Sequence, residues 1–177
     1  MSVLRLGILA IVLSLAFLPA AGAQSALDDD TKSAPAQPRF RVVEGDTVKF
    51  GPQLVAMFGI DAPDKGQTCD DGQWWPSPLA RKALEGFISG RPVTCRQVEL
   101  DVRNNRPVAQ CFAGADDLQE KMVSAGWAWA FVRQSDRYVP EERDAVIRKV
   151  GVHGHRCLSP WEWRAQQRLS NEKRQGQ

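Results

Sequence analysis

Three short β-like runs, one helix, a two-strand hairpin and two further helices predict an α+β domain built on a five-stranded barrel. Three observations carry this. The early runs are rich in Val and Phe and are split by Gly and Pro, as in a meander. Apolar residues at helical spacing first appear near residue 77. Strand-like pattern then returns in two runs that each hold a cysteine.

Taken in order, Phe40-Arg41-Val42-Val43 leads through Gly45-Asp46 into Thr47-Val48-Lys49-Phe50, and a Gly51-Pro52 turn leads to Leu54-Val55-Ala56-Met57-Phe58. Ser77 can cap a helix with Pro78 at its first position; Leu79, Ala83, Leu84, Phe87 and Ile88 form its apolar face, and Gly90 closes it. The hairpin pairs Val93 to Leu100 with Val108 to Phe112 around a polar tip, Asp101 to Pro107. A second helix begins at Asp116 or Asp117, carries Leu118, Met122 and Val123, and stops at Gly126. A third runs from Pro140 to Gly151 with Ala145, Val146 and Val150 inward. Strands one to three, a helix, then strands four and five is the order of a five-stranded OB-fold β-barrel, here with three helices.

The domain has a leader and two tails. Residues 1–23 read as a cleavable signal peptide: Arg5, an apolar run of Leu6 to Leu18 too short for a bilayer span, then Pro19-Ala20-Ala21-Gly22-Ala23. Residues 24–38, with Asp28-Asp29-Asp30 and scattered Ala and Pro, cannot build a core and read as a disordered linker. The folded domain spans 39–168, and the polar, basic stretch 169–177 reads as a flexible tail. Lys and Arg number 23 against 21 Asp and Glu, so the whole chain exerts little non-specific pull on a polyanion and any such binding needs a local patch.

Four cysteines in an exported chain suggest two disulfides, with three possible pairings. The hairpin favours Cys95–Cys111, leaving Cys69–Cys157 to fasten an early loop to the C-terminal segment. Zinc ligation is disfavoured by the absence of a closely spaced cysteine pair and by only two histidines, His153 and His155.

The motifs that carry chemistry are two carboxylate loops, Glu44-Gly45-Asp46-Thr47 and Gly59-Ile60-Asp61-Ala62-Pro63-Asp64 with its extension Gly66-Gln67-Thr68-Cys69. With them, in order, come Arg106-Pro107-Val108-Ala109, Met122-Val123-Ser124-Ala125-Gly126-Trp127-Ala128 and Pro160-Trp161-Glu162-Trp163-Arg164. Together they resemble the staphylococcal nuclease, or thermonuclease, family over about Phe40 to Arg168. The resemblance implies Ca²⁺-dependent hydrolysis of phosphodiester bonds in DNA or RNA: a hard cation on oxygen ligands polarises a phosphoryl oxygen, a carboxylate orients the attacking water, and guanidinium groups clamp the phosphate. It places the metal carboxylates at Asp46 and Asp61, a backbone-carbonyl contact at Ala62, the water-activating carboxylate at Asp64 and one clamping arginine at Arg106.

Two departures accompany the resemblance. The family's other clamping arginine, five residues before Asp61, is Ala56, which has no donor. Its catalytic glutamate is Asp64, one methylene shorter. A misplacement of about an ångström costs about a hundredfold and a lost donor roughly 10²–10³. The hairpin tip Asp101-Val102-Arg103-Asn104-Asn105 is altered too, and Arg103 there is a solvated charge. The expectation is an exported protein whose nuclease activity on single-stranded DNA or RNA is weak or lost. The alternative is a non-catalytic binding module for nucleic acid, glycan or protein. A monomer is expected, free of the membrane once the signal is removed. Among the aromatics, Trp127 and Trp161 are expected to pack inside, Trp129 and Trp163 to be more open, and Trp74-Trp75 to form an exposed contact.

Overall fold

The computed structural model describes residues 40–176; the expected signal peptide and linker lie outside the described residues. Strands β1 (Phe40–Glu44), β2 (Thr47–Phe50) and β3 (Gln53–Met57) form the antiparallel meander. After two residues of β4 (Ile60–Asp61) and helix α1 (Pro76–Ile88), β5 (Val93–Asp101) and β6 (Arg106–Ala113) make the hairpin. Strand β6 then pairs in parallel with β3, Ala56 opposite Val108 and Met57 opposite Ala109, so the sheet order is β1-β2-β3-β6-β5. That crossover is the OB arrangement. Among the described residues β1 does not pair with β5, and the sheet curls as a half-barrel.

Three two-residue strands add to the five expected: β4, β7 (Asp116–Asp117), which pairs β6, and β8 (Trp129–Ala130), which pairs β4. Helix α2 (Leu118–Ser124) stands where the apolar spacing puts it, whereas α3 (Val139–Arg148) ends before Gly151 and leaves Val150 beyond it. Asp117 starts α2 by accepting from the backbone N–H groups of Gln119 and Glu120, an N-cap worth about 1 kcal/mol.

A fourth helix, α4 (Pro160–Gln175), corrects the count of three and takes in most of the segment read as a tail. Trp161, Ala165 and Leu169 give it only a thin apolar line in an otherwise polar stretch, which announces it weakly. Good helix formers and a capping box mark it more strongly: the Ser159 N–H and hydroxyl both donate to Glu162, at 3.0 and 2.6 Å. Helix α1 also begins earlier than expected, at Pro76, because proline presets the helical φ and pushes Trp75 before it into extended geometry. The inward face of α1 is Ala80, Leu84 and Ile88, while Leu79 is turned out. In α3, Ala145 is buried and Val146, one position and about 100° further round, is exposed.

The core joins the inner face of the sheet to α1 and α2 through Val42, Val48, Val55, Met57, Leu84, Leu118, Met122 and Val123. Two glycine contacts set how closely its parts approach. A Cβ on Gly126 would lie 2.1 Å from the Val150 carbonyl oxygen and one on Gly151 2.1 Å from that of Gly126, so the ends of α2 and α3 touch backbone to backbone. A Cβ on Gly45 would lie 2.9 Å from the Cβ atoms of Ala62 and Ala80, so glycine there lets the first carboxylate loop lie against the second.

Both disulfides form as the sequence suggests, Cys95–Cys111 across the hairpin and Cys69–Cys157 over a separation of 88 residues. Such bonds suit an oxidising compartment. No helix among the described residues is long and apolar enough to cross a membrane.

Candidate functional site

The two carboxylate loops meet at the mouth of the half-barrel. Asp46 follows the β1–β2 turn and is held by two donors: the Ala62 N–H reaches its Oδ2 at 2.8 Å and the Thr47 hydroxyl its Oδ1 at 2.9 Å. Its own carbonyl accepts from the Met57 N–H at 2.8 Å, which ties the turn to the end of β3. Asp61 ends β4, locked by pairing with Trp129. Asp64 sits one turn on, where buried Gln67 organises the loop. Gln67 accepts from the Asp64 N–H at 3.1 Å and donates to the Leu158 carbonyl at 2.8 Å.

These loops line a cleft of about 640 Å³ together with Glu44, Ala56, Glu99, Asp101, Arg103, Arg106 and Arg164. The structure therefore brings Asp46, Asp61, Asp64 and Arg106 into one cavity, with Ala56 in its wall. Arg106, at the start of β6, places Nε 3.5 Å from Asp101, and that nitrogen is buried without a hydrogen-bond partner. Asp101 is occupied with the hairpin tip, accepting from the Asn104 side chain at 2.7 Å and from the Arg103 and Asn104 N–H groups. Arg103 is exposed at the rim.

Sequence reasoning missed Arg164. One turn into α4, its guanidinium reaches across 103 positions of sequence to Asp61 and 100 to Asp64. Nη1 donates to Asp61 Oδ1 at 3.2 Å and to both Asp64 oxygens at 3.1 and 2.9 Å; Nη2 donates to Asp61 Oδ2 at 2.5 Å. All four oxygens of the two carboxylates thus face one guanidinium. Its only trace in the sequence is its place at the end of the Pro160–Arg164 motif, because spacing cannot tie residues so far apart.

Helix α4 is held firmly enough to aim it. Cys157 is bonded to Cys69, Leu158 to Gln67, and Trp161 packs on Phe131 with ring centroids 5.7 Å apart. The loop carrying Cys69 adds a cluster of its own. His155 stacks on Trp74 at 3.7 Å and its Nδ1 lies 2.6 Å from Asp70, while Arg156 pairs with Asp71. Trp74 is thus packed, and of the expected exposed pair Trp75 alone faces solvent, at 57 % exposure. Trp127 tilts against Trp74.

The cleft is a costly place for negative charge. Burial pushes the Asp61 carboxyl up to about 6, with Asp46 and Asp64 adding repulsion and Arg164 opposing it. Burial likewise raises Asp46 and Glu44. Well below the ordinary value of 3.8 Asp61 is neutral in the folded and unfolded states alike. Between that value and about 6 the folded protein keeps a proton that the unfolded chain has released, so stability falls as pH rises across this window and levels off above it. Relative to wild type, an Asp61→Asn variant is expected to gain about 1–2 kcal/mol between pH 4 and 7, a value reduced for water at the cleft mouth. Urea unfolding of both proteins across that range checks this; a difference that does not change with pH would refute it.

A calcium ion needs six to eight oxygen ligands at about 2.3–2.6 Å. The donor set as it stands does not fit one. Both Asp46 oxygens accept hydrogen bonds, all the oxygens of Asp61 and Asp64 face Arg164, and among the described residues no group of three or more His, Cys, Asp or Glu converges as a metal site.

Residues 54–152 match the model of a family described as staphylococcal nuclease homologue. Among curated proteins the chain is similar to a succinoglycan biosynthesis protein, ExoI, of Rhizobium meliloti (strain 1021), 30 % identical over 90 residues. The match takes in 48 % of this chain and 47 % of that relative, so the chain spans about half the length of the curated relative it matches.

Proposed function

The chain belongs to the staphylococcal nuclease homologue family, and on that premise we propose that it is an exported nuclease-like protein whose phosphodiester hydrolysis is weak or lost. The observation that carries this reading is Ala56 in the wall of a cleft whose would-be base, Asp64, is fully engaged by Arg164. A carboxylate accepting from a guanidinium is a poor acceptor for a proton of water, and alanine offers the phosphate nothing. The remaining charge points the same way. Glu44, Asp46, Asp61, Asp64, Glu99 and Asp101 outnumber Arg103, Arg106 and Arg164 around the cleft, which repels a nucleic acid backbone.

Hydrolysis of single-stranded DNA, with Ca²⁺ or with chelator, is the test. Turnover is expected below about 10⁻² s⁻¹, against about 10 s⁻¹ for an ordinary enzyme. Ordinary turnover that depends on Ca²⁺ and disappears in Asp61→Ala would overturn the reading.

The second reading is a non-catalytic OB-fold module that holds a nucleic acid, a glycan or a protein. The relative's name, a succinoglycan biosynthesis protein, favours a glycan among these. Anisotropy titration of labelled single-stranded DNA and of an acidic oligosaccharide against the disulfide-bonded protein separates the two ligands.

A further inference from the structure

We propose that Arg164 is the resident cation of this cleft: its guanidinium holds the Asp61–Asp64 carboxylate site against divalent ions, so that divalent binding and the Arg164 ion pairs exclude one another. The geometry is specific. A planar fork of donors meets two carboxylates at once, with four contacts between 2.5 and 3.2 Å. The partners are drawn out of water, with 11 % of the Asp61 side chain and 26 % of the Asp64 side chain exposed, unlike an ordinary surface pair. An arginine stays charged at any physiological pH, so it compensates these carboxylates permanently.

The helix that delivers it is anchored at several independent points before Arg164 is reached. These are the Cys69–Cys157 bond, the Gln67–Leu158 hydrogen bond, the Ser159–Glu162 capping pair and the Trp161–Phe131 contact. The guanidinium is therefore tethered at the site rather than competing from bulk solvent, and a divalent ion has to displace it to reach the same oxygens. Asp46 keeps its hydrogen bonds from the Ala62 N–H and the Thr47 hydroxyl whether or not Arg164 is present, so Asp61 and Asp64 are the carboxylates that Arg164 alone withholds.

Equilibrium binding of Ca²⁺ by calorimetry, and of Tb³⁺ by luminescence, to the disulfide-bonded protein tests this without reading hydrolysis, so it stands or falls apart from the nuclease reading. Arg164→Gln is expected to bind both ions at least about tenfold more tightly than wild type, because an opposing charge is removed from the carboxylates. Arg164→Lys, which keeps the charge and loses the fork, should fall between. Adding Asp61→Asn to Arg164→Gln should abolish the gain. Equal or weaker ion binding by Arg164→Gln with native near-ultraviolet circular dichroism overturns the proposal, and so does a gain that survives Asp61→Asn. Should Arg164→Gln fail to fold, Arg164→Lys decides: no gain over wild type overturns the proposal equally.

Discussion

An Ala56→Arg, Asp64→Glu double variant is expected to cleave single-stranded DNA at millimolar Ca²⁺ at least about 10³ times faster than wild type. The magnitude follows from two separate deficits. A missing preorganised donor costs roughly 10²–10³ and a carboxylate withdrawn by about an ångström costs about 10². Residues acting on one phosphate are not additive, so the expected gain is set about tenfold below the lower product of roughly 10⁴. The parallel pairing of β3 and β6 supports the proposed place of the donor at Ala56. Ala56 stands opposite Val108, two residues beyond Arg106, and a guanidinium on each strand would enter the same cleft. Replacing Asp64 also disturbs two of the four Arg164 contacts, which weakens the competition that a divalent ion at millimolar concentration has to overcome. Initial-rate assays on a labelled oligonucleotide decide it. A double variant no faster than wild type, with its fold intact by circular dichroism, would mean that the loss lies elsewhere in the cleft.

Replacing Cys69 and Cys157 together by alanine is expected to cost about 3–4 kcal/mol of stability, lowering the melting temperature by about 10 °C. The bond closes a separation of 88 residues, against 16 for Cys95–Cys111, and the chain-entropy contribution grows with loop length. It also joins the loop carrying Asp64 and Gln67 to the segment that starts α4, so its removal frees the helix that aims Arg164. Thermal unfolding of the double variant measures this. A change below about 1 kcal/mol would show that the Gln67 and Asp70 contacts hold the two segments unaided.

Much of the fold was legible because it rests on local signals. Val and Phe runs broken by Gly and Pro, apolar spacing in α2 and cysteines in two facing strands each report on neighbours a few residues away. Two local signals compete at the start of α1 and on the face of α3. Ser77 looked like a cap, but Pro76 before it already had helical φ, and Val146 sat beside the one buried position of α3 rather than on it. Helix α4 is weakly marked because capping and polar helix formers dominate it and its apolar line, Trp161, Ala165 and Leu169, is thin.

The site divides the same way. The sequence alone determined the carboxylate loops, the family they resemble, and the Ala56 and Asp64 identities on which the proposed loss of activity rests, since residue identity is all these require. The tertiary structure decided what those carboxylates face. Asp61 and Asp64 meet Arg164 only because a long-range disulfide, a buried glutamine and a capped helix carry it back across about a hundred residues of chain. Charge compensation in a cleft depends on distances in space, and no pattern along the chain encodes a distance of that kind.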